Sequence, residues 1–227
     1  MTQLETFLTR FRFHCVNCFY FRGMVTTKEV ELVDRAKSIF MRYGIKSINM
    51  DDMARHLGIS KKTLYQFFAD KEDLLKKSVA LHCTNEDREI KEICHRGLNS
   101  IDEMLQIMHW VLNILRDIHP SVQYDLEKYH NAIYQAMKSA RDRAIFDCMV
   151  HNMRKGQREG FYRKDFNPEV ICKIYLSRLD DIFNPSTFPF GEFTLSELYK
   201  ESFNYHIRGI ASETGLNYLR EKLRSMK

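Results

Sequence analysis

Glycine and proline are scarce in this sequence, which has only 9 Gly and 4 Pro among its 227 residues. Sandwiches and barrels of β-strands need many tight turns, and these two residue types favour such turns. Their scarcity therefore excludes a turn-rich β fold. Long stretches that lack both residues carry apolar side chains at helical spacing instead. The sequence predicts an all-α fold.

The chain also lacks a disulfide framework and a long apolar run. Its six cysteines are scattered, without the close and regular spacing of a small disulfide-stapled domain. No apolar run approaches the roughly 18–20 residues that span a bilayer. We therefore expect reduced thiols in a cytoplasmic protein without a membrane partner. The net charge of +5 permits an anionic partner without requiring one.

Motifs of catalysis are missing as well. The sequence has no phosphate-cradling glycine loop, no nucleophile elbow and no HExxH zinc motif. Cys148 and His151 share a helix face, which is compatible with a nucleophile and its base or with two metal ligands. Chance placement of nine His and six Cys accounts for such a pair equally well. We predict no enzymatic activity, no cofactor and no metal site.

Residues 1–23 combine aromatic side chains with arginines. The arginines interrupt any continuous apolar core of a secretory signal, so we expect no such signal. His14, Cys15 and Cys18 supply at most part of a zinc site, because a tetrahedral site needs four ligands or three plus water. We interpret residues 1–23 as a disordered N-terminal extension that precedes Met24.

Caps and helix breakers divide the rest of the chain into helices. The first helix begins near Thr26 and ends at Gly44, and the short second and third helices have Asn49 and Ser60 as their N-caps. A long fourth helix is expected from Lys71 to about residue 93. Further helices are expected at 100–118, at 122–159 with a break near Tyr129, and at 168–183, 195–209 and 215–225.

Three residues specify how the second and third helices cross. Ala54 is small where the two helices approach, Gly58 accepts the positive φ of the turn, and Leu64 fills the interface. Such spacing predicts a helix-turn-helix. The third helix then buries Leu64, Phe67 and Phe68. Its polar face presents Lys61, Lys62, Thr63, Tyr65 and Gln66.

That polar face matches the chemistry of a DNA major groove. Lysine neutralises phosphate or reaches guanine, glutamine pairs with adenine, and threonine contacts either base edges or the thymine methyl. No acidic residue occurs between Met53 and Ala69, although acids are common on both sides of this segment. The absence of carboxylates favours a surface that approaches phosphates over an ordinary solvated helix face.

Residues 27–75 resemble the N-terminal domain of the TetR family of transcription regulators. The matching segments are AKSIFMRYG (36–44), INMDDMA (48–54), LGIS (57–60), TLYQFF (63–68) and KEDLL (71–75). Asn49 departs from the Ser or Thr that the family usually has there, although Asn also caps a helix and contacts phosphate. The segment GFYRKDFNPE (160–169) further resembles the family's turn before its first dimerisation helix.

The resemblance implies a homodimer that pairs through residues 168–183 and 195–209 and binds a near-palindromic double-stranded DNA operator. Phosphate contacts are implied for Tyr65 and Lys71, and for Thr27 at the start of the first helix. The full set of residues expected to bind DNA is Thr27, Asn49, Ser60, Lys61, Lys62, Thr63, Tyr65, Gln66 and Lys71.

The resemblance also implies a small-molecule effector inside the C-terminal helices, and repression more often than activation. Residues of the core have the same spacing as residues of a pocket, so both interpretations stay open for the candidate lining. These candidates are Met104, Met108, Trp110, Tyr134, Met137, Phe146, Met149 and Met153.

We expect residues 24–77 to bind DNA and residues 78–227 to bind the effector and dimerise. Two alternatives remain: a DNA-binding regulator that has no effector and is controlled by a protein partner, and a helical interaction module or enzyme with a vestigial helix-turn-helix.

Overall fold

The computed structural model describes residues 26–189 and 191–225, so the predictions for residues 1–23, including His14, Cys15 and Cys18, lie outside the described residues. Within the described ranges the chain forms ten α-helices. They are α1 (Thr27–Tyr43), α2 (Met50–Leu57), α3 (Lys61–Phe67), α4 (Lys71–Cys94), α5 (Ser100–Asp117), α6 (Ser121–Tyr129), α7 (Asn131–Glu159), α8 (Pro168–Ile182), α9 (Leu195–Ile210) and α10 (Glu213–Ser225).

The expected helix boundaries are confirmed to within a few residues, because local caps fix them. The break between α6 and α7 falls at His130, beside the expected position at Tyr129. Gly160 ends α7 in the left-handed conformation. Asn167 caps α8 ahead of a proline in its first turn, and Thr194 forms a capping box with Glu197 at the start of α9.

Two clusters of buried side chains organise the described part of the chain. The N-terminal cluster joins α1 to α4 and also takes in four residues from α6 and the start of α7, namely Val122, Leu126, Ile133 and Tyr134. The C-terminal cluster is built from α5 and α7 to α10, with Ile93 from the end of α4. Helices α4 and α7 contribute to both clusters and therefore connect them.

A buried polar network ties α5, α7 and the loop after α7 together. The Tyr162 hydroxyl lies 3.0 Å from the Asn152 side-chain oxygen. The Asn152 amide donates to Glu103 (2.8 Å), whose carboxylate also pairs with Lys155 (2.7 Å). A Cβ atom on Gly156 would lie 2.1 Å from the Tyr162 ring, so only glycine fits there. Every charge in this network has a partner, as buried polar groups require.

None of the helices in the described ranges is both long enough and apolar enough to cross a bilayer.

Candidate nucleic-acid interface and cavity

Helices α2 and α3 form the compact helix-turn-helix that the sequence predicts. The Asn49 side chain accepts hydrogen bonds from the backbone amides of Asp51 and Asp52, and the Asp52 carboxylate accepts one from the Asn49 amide, which completes a capping box. Gly58 ends α2 in the left-handed conformation (φ 69°). Ser60 then caps α3 through the amide of Thr63. The two short helices are therefore fixed by local hydrogen bonds.

The inner side of α3 is held by apolar contacts. Leu64 is 0% exposed and Phe68 is 1% exposed. Ala54 of α2 is buried against them in the same cluster, as expected for the helix crossing. Phe67 differs from the prediction, because its ring is only partly buried and lies under the Lys28 ammonium, 6.0 Å from it. Leu64 and Phe68 therefore anchor α3 in the N-terminal cluster, and Phe67 packs against this cluster from the partly exposed side of the helix.

The outer side of α3 is polar and open. Lys61, Lys62, Tyr65 and Gln66 are exposed, whereas Thr63 is half-buried and its hydroxyl is 2.8 Å from that of Ser60. The Lys61 ammonium pairs with Asp51 at 2.7 Å, and this contact raises the pKa of Lys61. Among the five predicted positions, Lys62, Tyr65 and Gln66 present the freest surface to a large ligand.

Thr27 and Lys71 occupy different settings beside α3. Thr27 is exposed in the first turn of α1, next to the N-cap Thr26. The Lys71 ammonium is half-buried and donates to the carbonyl oxygen of Ile45 (2.6 Å), and burial lowers its pKa. An ammonium has three donors, so the predicted phosphate contact would have to share this group with the α1–α2 loop.

Tyr43 is a further surface residue that we did not predict to be functional. Its ring stacks on His56 of α2 with centroids 5.0 Å apart, and it remains 41% exposed. The Arg42 guanidinium lies 5.5 Å from the same ring. Helical spacing alone places Tyr43 on the apolar stripe of α1, which is why its exposure is not evident from the sequence.

Helix α6 is fastened to the α1–α2 loop by Asp125, another residue that the sequence did not point to. The buried Asp125 carboxylate accepts from the backbone amides of Ile45 (3.1 Å) and Lys46 (3.0 Å). The backbone amide of His119 also donates to the Met41 carbonyl oxygen (2.6 Å). These hydrogen bonds join α6 and the turn before it directly to α1 and to the loop that precedes α2.

A cavity of about 370 Å³ lies between the two clusters. Its wall is mostly apolar and includes residues of α1 and α4 as well as of α5 to α9. Four predicted lining residues contribute to the wall, namely Met104, Trp110, Met137 and Met149. The other four belong to the surrounding hydrophobic clusters instead, namely Met108, Tyr134, Phe146 and Met153.

The cavity wall is mostly apolar, but its lining also includes five charged side chains, namely Lys37, Glu86, Asp87, Arg141 and Arg143. Tyr175 and Tyr199 are buried at one part of the wall, and burial raises the pKa of Tyr175 to about 12, so its hydroxyl stays protonated. Arg141 is paired with Asp142 (2.8 Å) and with Asp180 (2.7 Å). The mostly apolar wall therefore suits a ligand that is largely apolar.

Residues of α4 that face this cavity were not among the predicted lining. His82, Cys83 and Glu86 all contribute to the wall. Glu86 follows His82 by four positions and Cys83 by three, a spacing that also occurs on an ordinary solvent-exposed helix face. The distinction depends on which neighbours α5 and α7 supply, and a local pattern does not contain that information.

Comparison with known proteins agrees with this geometry. Residues 32–77 match the family of bacterial regulatory proteins of the tetR type. Over 172 residues the chain is 21% identical to the uncharacterized HTH-type transcriptional regulator YvaF of Bacillus subtilis (strain 168), a match that covers 74% of this chain and 87% of that protein.

Solved structures share the fold. A TetR-family transcriptional regulator from Agrobacterium tumefaciens has a TM-score of 0.65 at 12% identity, with 82% of this chain and 98% of that chain covered. A putative transcriptional regulator from Saccharomonospora viridis in complex with choline has a TM-score of 0.63 at 15% identity, with the same two coverages of 82% and 98%. At these identities the likeness concerns the fold alone.

Proposed function

We propose that the chain is a DNA-binding transcription regulator of the TetR type, as the match of residues 32–77 to that family supports, and that it acts as a ligand-responsive homodimeric repressor. It binds a near-palindromic operator through the two copies of α3 and leaves the DNA when a small molecule fills the cavity. Because the relatives that it resembles are bacterial transcription regulators, we propose that it acts in the cytoplasm.

The outer face of α3 is the observation that carries this proposal. Lys62 and Gln66 are exposed, one turn apart, on a helix whose other side is anchored by Leu64. A lysine neutralises phosphate or reaches guanine, and a glutamine forms two hydrogen bonds with adenine. With Ser60, Lys61, Thr63 and Tyr65, these residues form the proposed recognition surface, and Thr27, Asn49 and Lys71 supply phosphate contacts at its border.

An apolar face on α8 and α9 supports the homodimer. Val170 and Ile174 are one turn apart on α8 and are 52% and 49% exposed. Tyr205 on α9 is 66% exposed and lies beside Arg178. A Cβ atom on Gly209, one turn further on, would have no heavy atom of another part of the described chain within 4 Å, so another helix can approach closely. Two copies of this face make a self-complementary four-helix contact.

The position of the cavity supports the response to a ligand. Its wall includes Phe40 of α1 and Leu75 of α4, which also belong to the N-terminal cluster, and Met104 and Met149 of the C-terminal helices. A molecule that separates these walls therefore changes how α1 and α4 lie against the rest. We assign Met104, Trp110, Met137 and Met149 to direct contact with the ligand. The layer of side chains behind them then includes the other four predicted residues, Met108, Tyr134, Phe146 and Met153.

The hydrogen bonds between Asp125 and the α1–α2 loop form a joint that connects the cavity to α2 and α3. Val122 and Leu126 on the same helix line the cavity, while Asp125 holds the backbone of Ile45 and Lys46. A ligand that displaces α6 thus pulls on the loop before α2. The coupling must be reciprocal, so DNA in turn lowers the affinity for the ligand.

The proposal is tested with duplex DNA that flanks the chain's own gene, using fluorescence anisotropy at several salt concentrations. Lys62→Ala and Gln66→Ala should each weaken binding about tenfold, the loss expected for one base or phosphate contact. Lys164→Ala removes the same charge from an exposed loop far from α3 in sequence and serves as the control. Unchanged affinity in both α3 variants, with an intact dimer, would contradict the placement of α3 on DNA.

A further inference from the structure

Two cysteines from different helices face each other at the edge of the cavity. Cys94 is the last residue of α4, and Cys148 lies in the C-terminal half of α7. Their sulfur atoms are 3.9 Å apart, although the residues are 54 positions apart in sequence. The cavity wall includes Cys148, so a small molecule that enters the cavity reaches this thiol.

A disulfide between Cys94 and Cys148 requires the end of α4 to move toward α7. A disulfide needs a sulfur–sulfur distance of about 2.05 Å, so the two sulfur atoms must approach by about 2 Å. Cys94 is followed by the helix cap His95 and then by Gly97, whose φ of 68° belongs to a turn. Because Ile93 beside Cys94 is packed in the C-terminal cluster, closing this distance requires the end of α4 to shift toward α7 as a packed helix.

The surroundings give the two thiols different reactivity. The hydrogen bond from the Cys148 thiol lowers the pKa of Cys94, and it outweighs burial and the nearby Glu103, which act in the opposite direction. The same hydrogen bond, together with burial, raises the pKa of Cys148. Cys94 is partly exposed. A partly exposed cysteine with a lowered pKa and a second thiol 3.9 Å away has the features of an oxidation-sensitive cysteine with its resolving partner.

We propose that Cys94 and Cys148 form a redox-sensitive pair that peroxide converts to a disulfide, and that this conversion lowers the affinity for DNA. The Cys94 thiolate attacks one oxygen of hydrogen peroxide, forms a sulfenic acid and releases hydroxide. This hydroxide takes the proton of the Cys148 thiol and becomes the first water. The Cys148 sulfur then attacks the Cys94 sulfur and displaces the hydroxyl group of the sulfenic acid as hydroxide. That hydroxide takes up the proton that the Cys94 thiol lost on ionising and becomes the second water. Two thiols and one peroxide yield one disulfide and two waters.

The effect on DNA rests on the proposed function and follows from the course of α4. This helix begins at Lys71, whose side chain holds the carbonyl oxygen of Ile45, and ends at Cys94. Glu72 in its first turn also pairs with His130. A disulfide at the far end tilts α4 against α7 and changes the position of its first turn, which directly follows the helix-turn-helix.

Peptide mapping under non-reducing conditions tests the chemistry without reference to DNA. The reduced full chain is treated with one equivalent of hydrogen peroxide, and the expected product is a peptide pair that joins Cys94 to Cys148. Cys148→Ser should stop at a sulfenic acid on Cys94, which dimedone traps, and Cys94→Ser should yield neither product. Cys83→Ser retains the response and serves as the control. A disulfide between other cysteines, or none at all, would overturn the pair.

Anisotropy with the same flanking DNA then tests the consequence. Oxidation should weaken binding about fivefold or more in the wild type and in Cys83→Ser, and dithiothreitol should restore it. Cys94→Ser and Cys148→Ser should keep their affinity. A mapped Cys94–Cys148 disulfide with unchanged affinity would overturn the regulatory part. Failure of the reduced chain to bind DNA would contradict the proposed function instead, while the peptide map would still decide the pair.

Discussion

The helix-turn-helix and the C-terminal helices achieve rigidity by different means. In α2 and α3 the polar contacts are mainly caps between residues a few positions apart, as in the Asn49 capping box and the Ser60 cap, with a longer-range hydrogen bond from Arg35 to the Leu57 carbonyl oxygen. The C-terminal helices are closed by long-range polar contacts, such as that between Asn99 and Tyr218, 119 positions apart. Local caps leave an outer face free to carry contacts, whereas long-range networks bury polar groups and tolerate little change.

The two regions should therefore fail in different ways. A substitution on the surface of α3 should affect binding and spare folding, because its hydrogen bonds are made by caps and backbone. A substitution inside the C-terminal network should affect folding first, since a buried polar group without a partner costs about 1–3 kcal/mol. Substitutions in both regions and at the joint between them test where this division holds.

The largest effect is expected where a C-terminal residue controls the N-terminal surface. Ile174→Glu places a charge in the proposed dimer face and should convert the dimer to a monomer, with at least about a hundredfold loss of operator affinity because two linked half-sites no longer bind together. Sedimentation and anisotropy measure the two results, and Ile174→Val serves as the control. A monomer that keeps full affinity would remove the link between the regions.

The next effect is a dependence of stability on pH that arises in the C-terminal region. Burial, assisted by Arg178, lowers the pKa of His206 to about 4, and its Nε2 has no hydrogen-bond partner among the described residues. The unfolded chain takes up this proton below about pH 6.5, so stability is greatest above that pH and falls by roughly 3 kcal/mol toward pH 4.

Urea unfolding between pH 7 and 4 measures this loss. His206→Leu, which cannot titrate, should show a clearly shallower decline over the same pH range. An identical slope in the variant would mean that other groups account for the sensitivity to acid.

A smaller effect is expected from overpacking beside Tyr162. Gly156→Ala inserts a methyl group where a Cβ would lie 2.1 Å from the ring, so the unfolding free energy should fall by about 2 kcal/mol despite the better helix propensity of alanine. Gly209→Ala, in open space on α9, should leave unfolding of the monomer unchanged or slightly stabilised. Equal behaviour of the two variants would show that the network is looser than the distances indicate.

The smallest effect is expected at the joint between the two regions. Asp125→Asn keeps the size of the side chain but removes the charge that accepts from the Ile45 and Lys46 amides, so stability should fall by about 1 kcal/mol. Hydrogen exchange at these two amides should accelerate more than elsewhere. Glu127→Gln, an exposed change on the same helix, should leave their exchange unaffected.

The division also explains how much of the molecule could be predicted from its sequence. The helix boundaries and the crossing of α2 and α3 depend on caps, turn glycines and residue size, all within about ten positions of one another. Ala54, Gly58 and Leu64 were enough to specify the helix-turn-helix. The exposed face of α3 followed from the same local pattern.

The remaining features depend on contacts between distant parts of the chain. The partners Asp125 and Ile45 are 80 positions apart, and Cys94 and Cys148 are 54 apart. Whether Met108 or Met104 faces the cavity depends on the rotation of α5 against its neighbours, which a pattern of apolar residues does not define. Phe67 was placed too deep because helical spacing does not show that Lys28 covers only one side of the ring.

The ion pair between Lys61 and Asp51 has a consequence for selectivity. A phosphate that approaches this lysine must compete with a carboxylate already 2.7 Å away, so the exchange of one anion for another releases little free energy. We therefore expect Lys61 to add less than Lys62 to the affinity for duplex DNA of arbitrary sequence. In the proposed complex with DNA, this ion pair should lower the affinity for polyanions in general and leave more of the discrimination between sequences to the side chains that we propose to contact bases.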